Sequence, residues 1–548
     1  MYFKWVCSEF NAPLMQVIYW SFKQCGMGAL CVENQWNVLG VARSHLVKRM
    51  AGGMSQYTKM ALHMFYRPFD CKNGIRLQIG QQNSCIVIFS EVRIFVGDEA
   101  ALKELLQFKG ASGTRLCPLC ANVLDHKSDL LLHESTGTFV PSTTLDHSQI
   151  IAETNESVAE AIRFLEGNNG HVSREAFGRM QQFTGWNFCQ HGVLKCSQLD
   201  IKPIDALMWD WMHIYVAGGI YQVEMGLLLE QLRGCRVSQA DLRATLQGFS
   251  FPRGIASRGV TGRNVFEKKL QGSDPIKCSA SEALSVYSVL RFIFIELRHA
   301  GRVDGIRECI DSYLKMARVL DLLVNLKKGT VKASVLQDAI LDHLRAYQMA
   351  HGQERWLPKH HMAWHLASMY ASHKMLCSCF THERKHKCIK KYTSQSMNTW
   401  NAFERSVLTD VLRDHINDVA TTFFTTVGLI APSDATPACQ FVLQSVLQGD
   451  VTDVVKVSLD AAFSGGARCS SKDMLLLDLN GQNRVGEAIF FCQVGDKYFA
   501  FVELWTSLGH NEFQHSTDRM LCDLSCVRDV CIYRTREDRK AVVPNSRW

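Results

Sequence analysis

The chain has 548 residues, 47% hydrophobic and 21% charged, ordinary globular usage that excludes wholesale disorder and suggests three or four domains. Only 11 prolines occur, which excludes Pro-rich linkers and collagen-like arrays. Sixty Lys and Arg against 53 Asp and Glu leave a net charge of +7, too mild to argue for nucleic acid without a local basic surface.

In chain order, residues 12–22 read as a helix and 41–65 as a helical stretch broken at Gly52-Gly53. Residues 75–79 and 85–95, rich in Ile, Val and Phe and divided by turn residues around Gly80, predict a strand pair. Gly97 and Asp98 follow, then Glu99-Ala-Ala-Leu-Lys-Glu-Leu-Leu, helical in composition. Residues 1–124 form the N-terminal region and the polar stretch 125–150 a linker. Helical signals dominate 151–357, with amphipathic stretches at 211–232, 237–246, 306–326 and 331–349. Ser279-Ala-Ser-Glu282 reads as a capping box opening another helix. A further helix at 398–416 belongs to a region spanning 358–432. In residues 433–548, the stretches 485–493 and 497–505 flank Gly495-Asp496 as a β-hairpin. Residues 521–533 add a strand to this small β-rich domain.

No run reaches the roughly 18 apolar residues of a membrane span; the most apolar region, 204–232, carries Asp210, His213 and Glu224. The first residues, Met-Tyr-Phe-Lys-Trp-Val, do not read as a signal peptide. Twenty-one scattered cysteines read as reduced thiols of a nuclear or cytoplasmic protein, some holding metal.

Three places carry chemistry. Cys117-Pro-Leu-Cys120 has the spacing that lets two thiolates reach one metal from a turn. Zinc takes four ligands, and His126, His133, Cys189, His191 or His213 are candidates to complete the set; a pair of buried thiols or a redox dithiol are the other readings. Asp210 and His213 lie three apart on a helix face, suited to hold metal or a phosphate, or Asp210 caps the helix that follows. The densest stretch runs from Pro358-Lys-His-His-Met-Ala-Trp-His365 through Cys377 and Cys379 to Glu383. There Arg384, Lys385, Lys387, Lys390 and Lys391 give five cations suited to phosphate neutralisation, beside a carboxylate suited to Mg²⁺. A solvated basic helix face is the alternative. The Gly- and Arg-bearing stretch 253–263 reads as a surface loop.

Taken in order, Gly97-Asp98-Glu-Ala-Ala-Leu, Lys109-Gly-Ala-Ser-Gly-Thr114, Cys117-Pro-Leu-Cys120, Asp210-Trp-Met-His213 and Glu383-Arg-Lys-His386 resemble the core of a DDE-type cut-and-paste transposase of the CACTA and Plavaka groups. The resemblance covers about residues 75–400. It implies an α/β fold: an RNase H-like core sheet interrupted by a long α-helical insertion, followed by the small C-terminal β-domain. It also implies Asp98 and Glu383 as catalytic carboxylates with Asp210 and His213 nearby, Mg²⁺ as cofactor, and DNA as partner, with homo-oligomerisation open. The sequence departs from the family at the first carboxylate. Before Asp98 the only acids are Glu9, Glu33, Asp70 and Glu91, none in a convincing strand. A truncated or degenerate, catalytically impaired relative is therefore expected. A non-catalytic helical scaffold with a zinc knuckle is the competing reading. A zinc hydrolase lacks the required Glu inside a His-x-x-x-His helix.

Overall fold

The computed structural model describes residues 2–7, 15–66, 74–78, 85–133, 137–196, 199–253, 266, 274–395, 402–422, 427–447, 455–463 and 467–544. Most of the expected 253–263 loop lies outside them. The chain forms two compact units, Met1–Ile214 with Trp356–Phe423, and Tyr215–Arg355 with Phe424–Trp548.

The first unit is built on a five-stranded sheet of β1 (Tyr2–Cys7), β2 (Met15–Ser21), β3 (Asn37–Arg43), β4 (Ile94–Gly97) and β5 (Leu207–Trp209), in the order β3-β2-β1-β4-β5. β1 to β3 are antiparallel neighbours, whereas β1–β4 and β4–β5 are parallel. The expected helix at 12–22 is thus corrected: its described residues are strand β2. The run Val17-Ile-Tyr-Trp20 favours extended backbone, and Val17, Ile18 and Tyr19 are fully buried between neighbours. The predicted strand at 85–95 divides in two. Cys85–Ile88 pairs with Ile75–Gln78 in a separate hairpin, and Ile94–Gly97 joins the central sheet. β4 and β5 are buried along their whole length, the continuous apolar pattern of parallel strands covered on both faces.

Around this sheet lie α1 (Gly53–Tyr66), α2 (Glu99–Leu106), α3 (Trp211–Tyr215), α4 (Pro358–His373), α5 (Phe380–Gln395) and α6 (Phe403–Thr422). The helical stretch expected at 41–65 is corrected at its start, where 41–43 end β3; a helix at Ser44–Arg49 and α1 follow, divided at the break read at Gly52-Gly53. The stretch 125–150 does not behave as a linker. Val123–Leu124 pairs in parallel with Val140–Pro141. The Asn122 side chain donates to the Thr138 and Gln149 carbonyls at 2.9 and 2.8 Å, and Trp356 Nε1 donates to the Ser142 carbonyl at 2.9 Å.

In the second unit, helices Ile220–Gly234, Ala280–His299, Arg307–Asn325 and Ala333–His351 bury polar groups as pairs. Arg291 bonds Asp321, and Glu224 takes Ser312 Oγ at 2.7 Å and faces His343 Nε2 at 2.8 Å. The Ser279 and Glu282 capping box forms as read. The region read as one insertion over 151–357 is therefore divided, since residues up to Ile214 belong to the first unit. The C-terminal part is β-rich as expected. β6 (Met474–Leu479), β7 (Gln482–Val494), β8 (Lys497–Gly509), β9 (Glu512–Asp523), β10 (Val527–Arg536) and β11 (Arg539–Pro544) form an antiparallel sheet that a β7–β8 pairing closes on itself. The hairpin at Gly495-Asp496 is present. The strand expected at 521–533 is instead the end of β9 and the start of β10, separated by a turn at Leu524–Cys526. Among the described residues no helix is long and apolar enough to cross a membrane.

Candidate functional site

The parallel register of β4 and β5 sets Gly97 opposite Trp209, so the next residue of each strand, Asp98 and Asp210, leaves the carboxyl edge at the same level. The Asp210 amide donates to the Gly97 carbonyl at 3.0 Å. Such an edge is where an α/β sheet presents ligand-binding groups. Asp98 caps α2, its Oδ1 accepting from the Ala101 amide at 2.7 Å, and this leaves Oδ2 facing outward from the cap.

Asp210 is buried and its oxygens are engaged. Oδ1 accepts from the amides of Met212 at 3.0 Å and Cys379 at 3.1 Å, and Oδ2 contacts His213 Nδ1. Asp210 thus caps the helix that follows, as one reading has it, and also orients the His213 imidazole. With Nδ1 held, His213 turns Nε2 toward two further carboxylates: Asp98 Oδ2 at 4.0 Å and Glu383 Oε1 at 3.8 Å. Glu383 lies in the first turn of α5, its amide donating to the Cys379 carbonyl at 2.9 Å. Four residues singled out in the sequence, Asp98, Asp210, His213 and Glu383, thus come together. Asp210, His213 and Cys379 also place one potential ligand atom each within 4.8 Å of one another.

A cavity of about 210 Å³ opens beside this cluster, lined by Asp98, Glu99, Asp210, His213, Lys359 and Met362 among others. Burial holds the Lys359 ammonium below its ordinary pKa, and the carboxylates of Glu99, Asp98 and Asp210 pull it back up.

The basic strip is only partly a surface. Lys385 is buried, its Nζ 3.0 Å from the Glu33 carbonyl and 2.9 Å from His415 Nδ1, and burial pushes its pKa down to about 8. Arg384 is ion-paired with Glu33. Lys387 and Lys391 are exposed and Lys390 is half-buried. The density of cations at 384, 385, 387, 390 and 391 concealed that α5 packs one face against the sheet.

The second cluster completes the Cys-x-x-Cys turn, in which the Cys120 amide donates to the Cys117 carbonyl. None of His126, His133, Cys189, His191 and His213 completes it; the partners are His361 and His365 of α4. Cys117 Sγ lies 3.4 Å from His365 Nε2, and Cys120 Sγ lies 3.4 Å from His361 Nε2 and 3.3 Å from His365 Nε2. The two Nε2 atoms are 3.3 Å apart, and all four ligand atoms lie within 4.8 Å of one another. A tetrahedron with zinc-like bonds to nitrogen and sulfur has edges of about 3.3–3.8 Å, and four of the six donor separations already match it. Burial opposes ionisation of Cys117, but Cys120, His365 and His361 around its sulfur outweigh it and hold the thiol well below its ordinary value. Sharing a proton with Cys117 drives Cys120 the other way. The signal available in the sequence was His361-x-x-x-His365, two imidazoles on one helix face.

No protein-family model matches this chain, and no curated protein matches it.

Proposed function

We propose that this chain is a transposase-like DNA-binding protein, related to Mg²⁺-dependent strand cleavage and transfer enzymes and impaired in catalysis. The observation that carries the reading is the convergence of Asp98 and Glu383, 285 positions apart in sequence, on one nitrogen of His213. The strand order β3-β2-β1-β4-β5, with three antiparallel strands followed by two parallel ones, is compatible with the RNase H-like core that the resemblance implies.

The donors suit their ions. Asp98 and Glu383 offer hard oxygens at a strand end and a helix start, the chemistry Mg²⁺ prefers, and there the ion would polarise a phosphoryl oxygen and activate water. His213 is oriented by Asp210 at Nδ1 and points Nε2 at Asp98 and Glu383. Cys117, Cys120, His361 and His365 form a soft, closed donor set suited to structural zinc, which would tie the turn before residue 121 to α4. Impairment follows from the composition of β1: Tyr-Phe-Lys-Trp-Val-Cys contains no acid. Asp210 is a poor substitute, because its oxygens are already taken up by two amides and an imidazole.

The test is DNA binding by fluorescence anisotropy, alongside nicking of supercoiled plasmid in Mg²⁺. The proposal expects salt-sensitive binding with nicking at or near background. Absence of DNA binding overturns the proposal, and rapid Mg²⁺-dependent nicking overturns the impairment.

A further inference from the structure

We propose that Lys359 is the anion-contacting residue of the acidic cavity, taking a non-bridging oxygen of a phosphodiester once divalent ions occupy the carboxylates. This rests on the metal-site reading above and adds to it the group that receives the substrate's own charge.

Acids outnumber cations in the lining of the cavity. Asp98, Glu99 and Asp210 line it, and Glu383 Oε1 lies 3.8 Å from His213 Nε2. Carboxylates alone repel a phosphodiester, so a site of this kind needs cations placed by the protein as well as by metal. Lys359 is the lysine of that lining. It is placed by rigid elements: Pro358 opens α4 with its backbone preset for a helix, and Lys359 is the next residue. Two and six residues further on, His361 and His365 bring the same helix against Cys117 and Cys120. Further along, the Trp209 amide of β5 donates to Met369 Sδ at 3.4 Å. α4 is thus held at the Cys/His cluster and on the sheet edge that bears Asp210, and the lysine enters the cavity from a fixed position.

The electrostatics change with loading. Asp98, Glu99 and Asp210 line the same cavity as Lys359. When divalent ions neutralise carboxylates, the ammonium is drawn to the next anionic group to enter, the phosphate. An ammonium suits this role as a compact point charge on a flexible stem. The volume of about 210 Å³ admits a phosphate with part of its sugar. Recognition would therefore be of backbone and indifferent to sequence.

The experiment uses the full zinc-loaded chain, Mn²⁺ as a paramagnetic stand-in for Mg²⁺, and the dinucleotide thymidylyl-thymidine. Mn²⁺ binding is followed by electron paramagnetic resonance, and dinucleotide binding by ³¹P relaxation. The expected result is that K359Q binds Mn²⁺ at least as tightly as the wild type but loses dinucleotide affinity by about tenfold, the scale of one charged hydrogen bond. K359R, which keeps the charge, should lose less. K359M preserves the packing stem and should match K359Q, which separates charge from folding; zinc content and melting temperature should stay unchanged in each variant. Dinucleotide affinity unaltered in K359Q and K359M overturns the role of Lys359 while leaving the metal site standing. Absence of Mn²⁺ binding in the wild type overturns the metal-site reading itself, and this inference with it.

Discussion

Asp98 and Asp210 leave adjacent parallel strands at the same level because Gly97 pairs with Trp209 across them. Two acids 112 positions apart thus reach one edge through the register of two short apolar strands. That edge, with Glu383 approaching on α5, forms the candidate carboxylate site.

The Cys/His cluster should contain one zinc ion per chain. Cys117→Ser and His361→Ala should each lose most of it, as measured by elemental analysis of purified protein. Because zinc requires deprotonated ligands, its occupancy should fall as the pH drops below the range where thiol and imidazole release their protons. Full occupancy in both variants would remove these residues from the ligand set.

DNA affinity should depend on the outward cations of α5 and not on the inward one. Replacing Lys387 and Lys391 together by Ala should lower the slope of log affinity against log salt by about two. Lys385→Ala should instead lower the melting temperature, because its ammonium is buried against Glu33 and His415. Equal salt slopes in wild type and the double variant would show these lysines to be merely solvated.

His415 should make the first unit acid-sensitive. Burial and the neighbouring Lys385 cation hold its pKa at about 4, under the ordinary 6.5. The unfolded chain therefore takes up the proton first, and stability present above about pH 6.5 is lost as the pH falls toward 4. His415→Gln should flatten this part of the profile of melting temperature against pH. An unchanged profile would place the acid sensitivity elsewhere.

Asp321 should be among the most sensitive positions of the second unit. It is buried with Arg291 and takes the Tyr287 hydroxyl at 2.8 Å. Asp321→Ala leaves an uncompensated guanidinium in the helical interior, and removing one partner of a buried pair costs about 3–5 kcal/mol. Denaturant unfolding measures this directly; a loss under about 1 kcal/mol would mean that water reaches Arg291.

The sequence revealed local patterns better than partnerships. The capping box at Ser279, the hairpin at Gly495 and the helical stretches of residues 306–349 were legible because their signals lie within a few positions of each other. β2 reads as a helix in the sequence because the short apolar run 17–20 has no decisive period, and only the strands on both sides of it fix its state. His361 and His365 were seen as part of a His-rich stretch but not as partners of Cys117 and Cys120. No local rule links a turn to a helix more than 240 positions away. Lys385 was counted as a surface cation for a similar reason, since the groups that bury it, Glu33 and His415, come from distant parts of the chain.

The most direct test of the account is Mn²⁺ binding to the zinc-loaded protein, followed by electron paramagnetic resonance in wild type, Asp98→Asn and Glu383→Gln. Asn retains a side-chain acceptor for the α2 cap, so Asp98→Asn isolates the carboxylate charge from the fold. Removing groups that merely support metal ligands costs 10- to 100-fold in affinity, so losing a ligand should cost at least about tenfold. The account predicts bound Mn²⁺ in the wild type and weakening of at least that size in both variants. Equal affinity in all three proteins, or none in the wild type, would contradict it.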